Sequence, residues 1–138
     1  MAKDTYHDVF KNALEKDGWQ ITDDPYVLDT GSRKLRIDLG AERLIEAEKE
    51  GKKILVEVKS FIGLSDLHEF YKAVGQFDYY LFGVQRNQLD RKLYLAIPSD
   101  FYDAFIKYDA YNLDYIKDRK LALIVYDKEK AIILKWIE

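Results

Sequence analysis

Two opposite charges written into an apolar run dictate much of what the chain can become. The run Ile54-Leu55-Val56-Glu57-Val58-Lys59 has the β-branched character of a strand. Strand side chains alternate, so Glu57 and Lys59 share one face while Val56 and Val58 occupy the other. An acid and an ammonium on a partly buried face both lose hydration, a heavy cost unless they pair or hold a metal. Acid-x-Lys also occurs at Glu50/Lys52, Asp90/Lys92 and Asp118/Lys120, as expected where 34% of residues are charged. The first of these falls in a turn and the other two at exposed strand starts. Only Glu57 and Lys59 lie inside an apolar strand, either as a plain ion pair at an open sheet edge or as part of a site.

The flanking pattern supplies the rest of the sheet. Thr5 is the expected N-cap of a helix over 6–17, in which Tyr6, Val9, Phe10, Ala13 and Leu14 form one stripe and Gly18 suits the C′ position. Trp19–Leu28 reads as an irregular strand broken at Asp23-Asp24-Pro25. Arg33–Leu39 alternates as a strand with a polar face. Arg43–Glu50 and Lys52–Ser60 flank the Glu50-Gly51 hairpin signal, so three consecutive antiparallel strands are implied. Ser65 caps a long helix reaching about Leu81, with Leu67, Phe70, Val74, Phe77 and Leu81 at helical spacing, and Gly83–Asp90 reads as a loop. Leu93–Ile97, stopped by Pro98, is a buried strand parallel to an earlier one if the helix is a crossover. Ser99 is the expected cap of a short helix around Phe101–Ile106, segment 108–118 is ambiguous, and Leu121–Tyr126 with Ala131–Ile137 form a closing hairpin. The fold class is therefore α/β: a central mixed sheet with an antiparallel three-strand meander and a strand after the long helix, flanked by helices and ending in a β-hairpin. No repeat or linker divides residues 1–138, which read as one domain.

Composition removes several function classes. The chain has no cysteine, which excludes disulfides, thiolate metal sites and thiol nucleophiles and suits a reducing, cytoplasmic setting. His7 and His68 are too far apart in sequence to suggest a zinc site. The seven glycines never show the spacing of a dinucleotide or Walker A loop. The longest apolar run, Leu121–Tyr126, is six residues, so neither a membrane span nor a signal peptide is expected. A net charge of −3 argues against holding nucleic acid by bulk charge. That charge is uneven: residues 1–30 carry 3 basic and 7 acidic groups, whereas residues 31–60 carry 8 and 6.

The basic block holds a second acid in apolar surroundings. Asp38, between Ile37 and Leu39, lies in the neighbouring strand and would bring its carboxylate near Glu57. Two converging carboxylates repel unless a cation or a proton lies between them. Hard oxygen ligands suit Mg²⁺ or Mn²⁺, and Lys59 would then orient water or offset phosphate charge, which is the equipment of phosphodiester hydrolysis. Gln76 and Tyr80 lie four apart on the long helix and so share a face. Either Tyr80 packs while Gln76 is solvated, or Gln76 braces the site and Tyr80 touches substrate or backbone. His7 reads as a packed or capping histidine and His68 as a neighbour of Ser65. Arg33, Lys34, Arg36, Arg43, Lys52 and Lys53 read as a solvated face that, beside a metal site, would contact phosphates. Tyr71, Tyr79, Tyr102, Tyr108 and Tyr111 are candidates for a partner surface.

Asp38, Glu57-x-Lys59 and Gln76-x-x-x-Tyr80 together resemble the PD-(D/E)xK restriction-endonuclease-like superfamily with a QxxxY-type helix. Residue 37 is Ile where that signature has Pro, and no acid on the first helix completes a resolvase-like set, since Glu15 falls off the apolar stripe. The wider text resembles the XisH family of cyanobacterial fdxN element excision controlling factors. It does so through Ile37-Asp38-Leu39-Gly40-Ala41-Glu42, Val56-Glu57-Val58-Lys59-Ser60-Phe61, Gly75-Gln76-Phe77, Leu93–Pro98 and Trp136-Ile137. The resemblance implies a role in developmentally programmed DNA excision beside a site-specific recombinase and a small XisI-like partner, with homodimerisation a further expectation for a two-strand cutter. It implies Asp38 and Glu57 as metal ligands, the Val58 carbonyl as a third candidate, Lys59 as the catalytic lysine, and Gln76 and Tyr80 as auxiliary residues. The alternative it leaves open is a non-catalytic accessory that binds DNA or protein.

Overall fold

Alternation along the central strands sorts their side chains into two separate cores, one on each face of a sheet. The computed structural model describes residues 6–43, 51–61 and 65–138. Its elements are α1 (His7–Lys16), β1 (Gln20–Asp23), β2 (Tyr26–Asp29), β3 (Lys34–Ile37), β4 (Leu39–Arg43), β5 (Lys52–Val58), α2 (Asp66–Arg86), β6 (Lys92–Pro98), α3 (Ser99–Phe101), α4 (Ala110–Asp118), β7 (Leu123–Asp127) and β8 (Ile132–Ile137). A π-helical stretch, Tyr102–Ile106, continues α3. The main sheet runs β1-β4-β5-β6-β7-β8, and β2 pairs with β3 in a small second sheet. β4 pairs antiparallel with β1 on one side and β5 on the other, β5, β6 and β7 are parallel, and β8 closes the sheet antiparallel to β7. This is the mixed sheet with a C-terminal hairpin that the pattern implied. The helix between β5 and β6 supplies the crossover that a parallel pair needs.

On one face, Ile54, Val56 and Val58 of β5 join Tyr94, Ala96, Ile124 and Tyr126 against Phe10 and Leu14 of α1. On the other, Leu55 joins Leu93, Leu95, Ile97, Leu123 and Val125 against Phe70, Ala73, Phe77 and Tyr80 of α2. Parity therefore puts Glu57, like Leu55, on the α2 face. Among the described residues, no helix is long and apolar enough to cross a membrane.

Four local expectations change. The strand expected over 33–39 is divided at Asp38: Ile37 enters the α2 core and Leu39 the α1 core, opposite faces that a continuous strand cannot give to residues two apart. β3 thus leaves with β2 while β4 joins the main sheet. Second, α2 does not stop at Leu81 but runs through Gly83 to Arg86. Gly83 is a site of close approach rather than a turn, since a Cβ there would lie 2.6 Å from Leu28 Cδ2. Third, Ser99 is the first residue of α3, with Pro98 at the N-cap, and the Asp100 carboxylate accepts the Phe101 N–H at 2.9 Å. Fourth, the ambiguous 108–118 contains α4, capped by the Asp109 side chain at the Asn112 N–H, 3.1 Å away. Tyr6 holds the N-cap position of α1, and Thr5 lies outside the described residues, as do 44–50 of the expected hairpin.

The Gly83–Leu28 contact yields a test. Gly83→Ala gains up to about 1 kcal/mol of helix propensity but forces an overlap costing about 1–3 kcal/mol in an intact core. In a Leu28→Ala background the overlap disappears. Urea unfolding should show Gly83→Ala destabilising in the native sequence and neutral or stabilising in the Leu28→Ala variant; equal effects in both would refute the packing role.

Candidate active site

The division of the chain at Asp38 sets an acid beside Glu57. β4 pairs with β5 as Leu39 opposite Val56, so extending the register by one residue sets Asp38 opposite Glu57 on the α2 face. The Lys59 N–H donates to Ala96 O of β6 at 3.0 Å, so the Val58 N–H points to the other edge of β5, where β4 has already ended. Asp38 takes the place of the missing strand, its Oδ2 accepting the Val58 N–H at 2.9 Å. Glu57 reciprocates, with Oε2 3.4 Å from the Asp38 backbone nitrogen. Each carboxylate therefore accepts from the backbone at or beside the other residue, across one junction. The Val58 carbonyl leaves β5 on the same edge as its N–H.

Glu57 is 4% exposed, and Lys59 Nζ stands 3.7 Å from its Oε1. That separation is an ion pair rather than a tight hydrogen bond, and the lysine side chain keeps 27% of its surface in solvent. Burial and the neighbouring Asp38 carboxylate work against a charge on Glu57, while the Asp38 N–H and the Lys59 ammonium work for it.

α2 closes the site from above. Gln76 Nε2 donates to the Tyr80 hydroxyl at 2.9 Å, and that hydroxyl donates to Arg36 O at 3.2 Å. Tyr80 thus grips the backbone two residues before Asp38, and Gln76 braces Tyr80. Burial pushes the Tyr80 phenol above its ordinary value of 10.0, and the negative charges of Glu57 and Asp38 push it the same way against the Gln76 hydrogen bond. It stays protonated, and donating, at neutral pH.

Sequence reasoning missed Tyr126, which read only as part of an apolar strand. Its hydroxyl donates to Lys59 O at 3.0 Å across a sequence separation of 67, and its ring packs edge-on against Phe10 at 5.2 Å. No local signal announces that contact. The basic block is not one patch. Arg36 is exposed two residues before Asp38, but Arg33 and Lys34 at the start of β3, and Lys52 and Lys53 at the start of β5, each lie about 15 Å of strand from Asp38 and Glu57 respectively, and Arg43 is paired with Lys52 at the far end of β5.

His7 is buried on α1, its Nε2 2.8 Å from Asp24 Oδ1, and it packs on the opposite face of the sheet from Glu57. The His68 N–H donates to Ser65 Oγ at 3.2 Å, a helix cap rather than a nucleophilic pair. Glu15 is exposed on α1, away from both carboxylates.

The donor set can be tested against the expected metal. Among the described residues, no group of three or more His, Cys, Asp or Glu is arranged around one point, so a zinc-type cage is a poor fit. Mg²⁺ and Mn²⁺ fit better, since Mg²⁺ takes one or two carboxylates and completes its shell with water and substrate phosphate.

The family model described as XisH protein matches residues 1–134. Among solved structures, the chain is similar to an XisH family protein from Nostoc punctiforme PCC 73102, at 42% identity and a TM-score of 0.86 over 98% of this chain and all of that one. It is also similar to a fdxN element excision controlling factor protein from Anabaena variabilis, at 40% identity and a TM-score of 0.83 over 96% of this chain and 98% of that one. No curated protein matches the chain.

Two predictions follow from the junction. Asp38→Ala leaves the Val58 N–H without its acceptor and should cost about 1–3 kcal/mol, whereas Asp38→Asn keeps an acceptor and should cost less; urea midpoints that do not differ would contradict the bond's role. The raised Tyr80 pKa stabilises the fold fully below the unfolded value near 10.0, and that stabilisation is lost as pH rises through the folded value. Tyr80→Phe should therefore flatten the alkaline limb of stability against pH, measured by thermal melts above and below pH 10.

Proposed function

The chain belongs to the XisH family, and from that membership we propose that it serves programmed excision of a DNA element as a Mg²⁺- or Mn²⁺-dependent DNA endonuclease or nicking domain. The observation carrying this reading is the reciprocal bonding of the Asp38 and Glu57 carboxylates to the backbone at or beside each other at one junction, with the Lys59 ammonium alongside. Asp38 and Glu57 would hold the ion, with the Val58 carbonyl as a further oxygen on the same edge. A bound divalent ion supplies Lewis acidity toward a phosphoryl oxygen and lowers the pKa of a coordinated water.

The chain's own groups do the rest. Lys59, partly exposed and anchored through its backbone by Ala96 and Tyr126, offsets charge that builds on the phosphate or orients the attacking water. Tyr80 and Gln76 hold the backbone before Asp38, keeping its carboxylate on the Val58 N–H. The burial of Glu57 limits bulk water around the reacting centre and strengthens each charge interaction there. A net charge of −3 restricts DNA engagement to a local site, with the exposed Arg36, two residues before Asp38, positioned to meet the phosphate backbone nearby. On this reading the partners are DNA, a small XisI-like protein and a site-specific recombinase, with a second copy of the chain for two-strand cleavage.

One observation favours a second reading, a non-catalytic accessory of the recombinase. Both carboxylates accept hydrogen bonds from the protein's own backbone, and Glu57 pairs with Lys59, so the junction is self-consistent as structure alone.

Purified protein should nick supercoiled plasmid with Mg²⁺ or Mn²⁺, and Glu57→Gln and Lys59→Ala should each lower the rate by on the order of 10²–10³ while remaining folded at the assay temperature by circular dichroism. Cleavage that survives Glu57→Gln would sink the nuclease reading. Native-level excision by Lys59→Ala, with partner binding intact, would establish the accessory reading instead.

A further inference from the structure

Two residues after Lys59 the backbone takes a conformation that a bulky residue rarely adopts. Phe61 has φ +53°, in the left-handed region. Two contacts over-determine it. The Phe61 ring stacks on Phe101 with centroids 3.8 Å apart and planes 9° from parallel, and the Tyr126 hydroxyl holds the Lys59 carbonyl on the other side. Ser60, between these anchors, is buried. Such strain persists only where its surroundings impose it, and it concentrates at ligand sites. Here it shapes a cleft of about 220 Å³, with Lys59, Ser60 and Phe61 on one wall and Glu69, Lys72 and Ala73 of α2 on the other.

We propose that this cleft is a phosphate subsite, in which Lys72 contacts a phosphodiester of the DNA strand lying beside the one at Asp38 and Glu57. The inference rests on reading that junction as the place where DNA is engaged. Lys59 belongs to both sites: it pairs with Glu57 and lines the cleft. On α2, Lys72, Gln76 and Tyr80 recur every four residues and so form one stripe leading from the cleft to the junction. One helical turn, about 5.4 Å, separates Lys72 from Gln76, a step of one to two nucleotides at roughly 3.4 Å each along a duplex strand.

The charges in the cleft are arranged for exchange. Lys72 Nζ lies 3.6 Å from Glu69 Oε2, and its side chain is 66% exposed. The Glu69 side chain is 30% exposed, and a loose i,i+3 pair of this kind on a helix surface stabilises the fold little, so replacing Glu69 by a phosphate costs little. Glu69 then acts as the competitor that the phosphate displaces. An acidic chain gains selectivity this way: Lys72 is masked until a phosphate arrives in register with Lys59.

The test uses the full chain and fluorescein-labelled duplex and single-stranded DNA, with binding followed by anisotropy. Ca²⁺ replaces Mg²⁺ so that affinity is read without turnover. Lys72→Gln should weaken binding by about tenfold at 0.1 M salt and lower the slope of log affinity against log salt by about 1. Glu69→Gln should act in the opposite sense and tighten binding by about 1.5- to 5-fold. Opposite signs from adjacent surface positions are not what loss of a structural contact would give. Unchanged affinity and salt slope in Lys72→Gln, with native protein that binds DNA, would overturn the subsite and leave the nuclease reading standing. The predicted Lys72 and Glu69 effects, in a protein whose nicking survives Glu57→Gln, would uphold the subsite while the catalytic assignment fell. Absence of DNA binding by the native protein would overturn both.

Discussion

Housing one carboxylate inside a sheet is the constraint around which this molecule is built. Glu57 projects from a central strand into the α2 face and is almost without solvent contact. A lone buried carboxylate is costly enough to take up a proton or distort its surroundings. Here the chain bends at Asp38, which frees a backbone N–H for Glu57 and offers the Asp38 carboxylate to the Val58 N–H in return. The bend also explains why a two-stranded sheet exists beside the main one. Once β3 leaves the plane, its apolar residues Leu35 and Ile37 need a cover, and they find it in the α2 core.

The two faces of the sheet divide the labour. The α1 face is apolar around Phe10, Leu14, Val56, Val58 and Tyr126, and its close packing supplies rigidity. The α2 face carries the polar site at one end of an otherwise apolar surface. Tyr126 links the two, since its ring belongs to the α1 core while its hydroxyl holds the Lys59 backbone at the sheet's edge. Tyr80 does the corresponding work from the α2 side. Groups held from two sides are how a site keeps acids and an amine in a geometry that mutual repulsion and hydration would otherwise dissolve.

Where sequence reasoning went astray, a tertiary contact had overridden a sound local rule. Leu35, Ile37 and Leu39 alternate as one strand should, and the turn of the chain at Asp38 leaves that alternation intact while moving Leu39 to the other core. Gly83 looked like the end of a helix because glycine is a poor helix former, yet it serves the approach of Leu28 from the second sheet. Ser99 has the chemistry of an N-cap but sits one position inside the helix, because Pro98 ends β6 and holds the N-cap position itself. The basic block failed as a patch because strand length separates charges that are close in sequence.

By itself, the sequence determined the class of fold, the residues that carry charge into an apolar strand, and the family, because each is written in periodicity, residue type and local text. Strand parity alone was enough to put Glu57 and Lys59 on one face, and helical spacing alone to put Gln76 beside Tyr80. Only the tertiary structure decided that Asp38 crosses to the Val58 N–H, that Tyr80 grips the backbone at Arg36, and that Tyr126 anchors Lys59. Those contacts join residues 20, 44 and 67 positions apart, and no local pattern encodes which edge of β5 is left open when β4 ends. The open edge arises because neighbouring strands stop at different registers, and that is settled by packing two cores against one sheet at once.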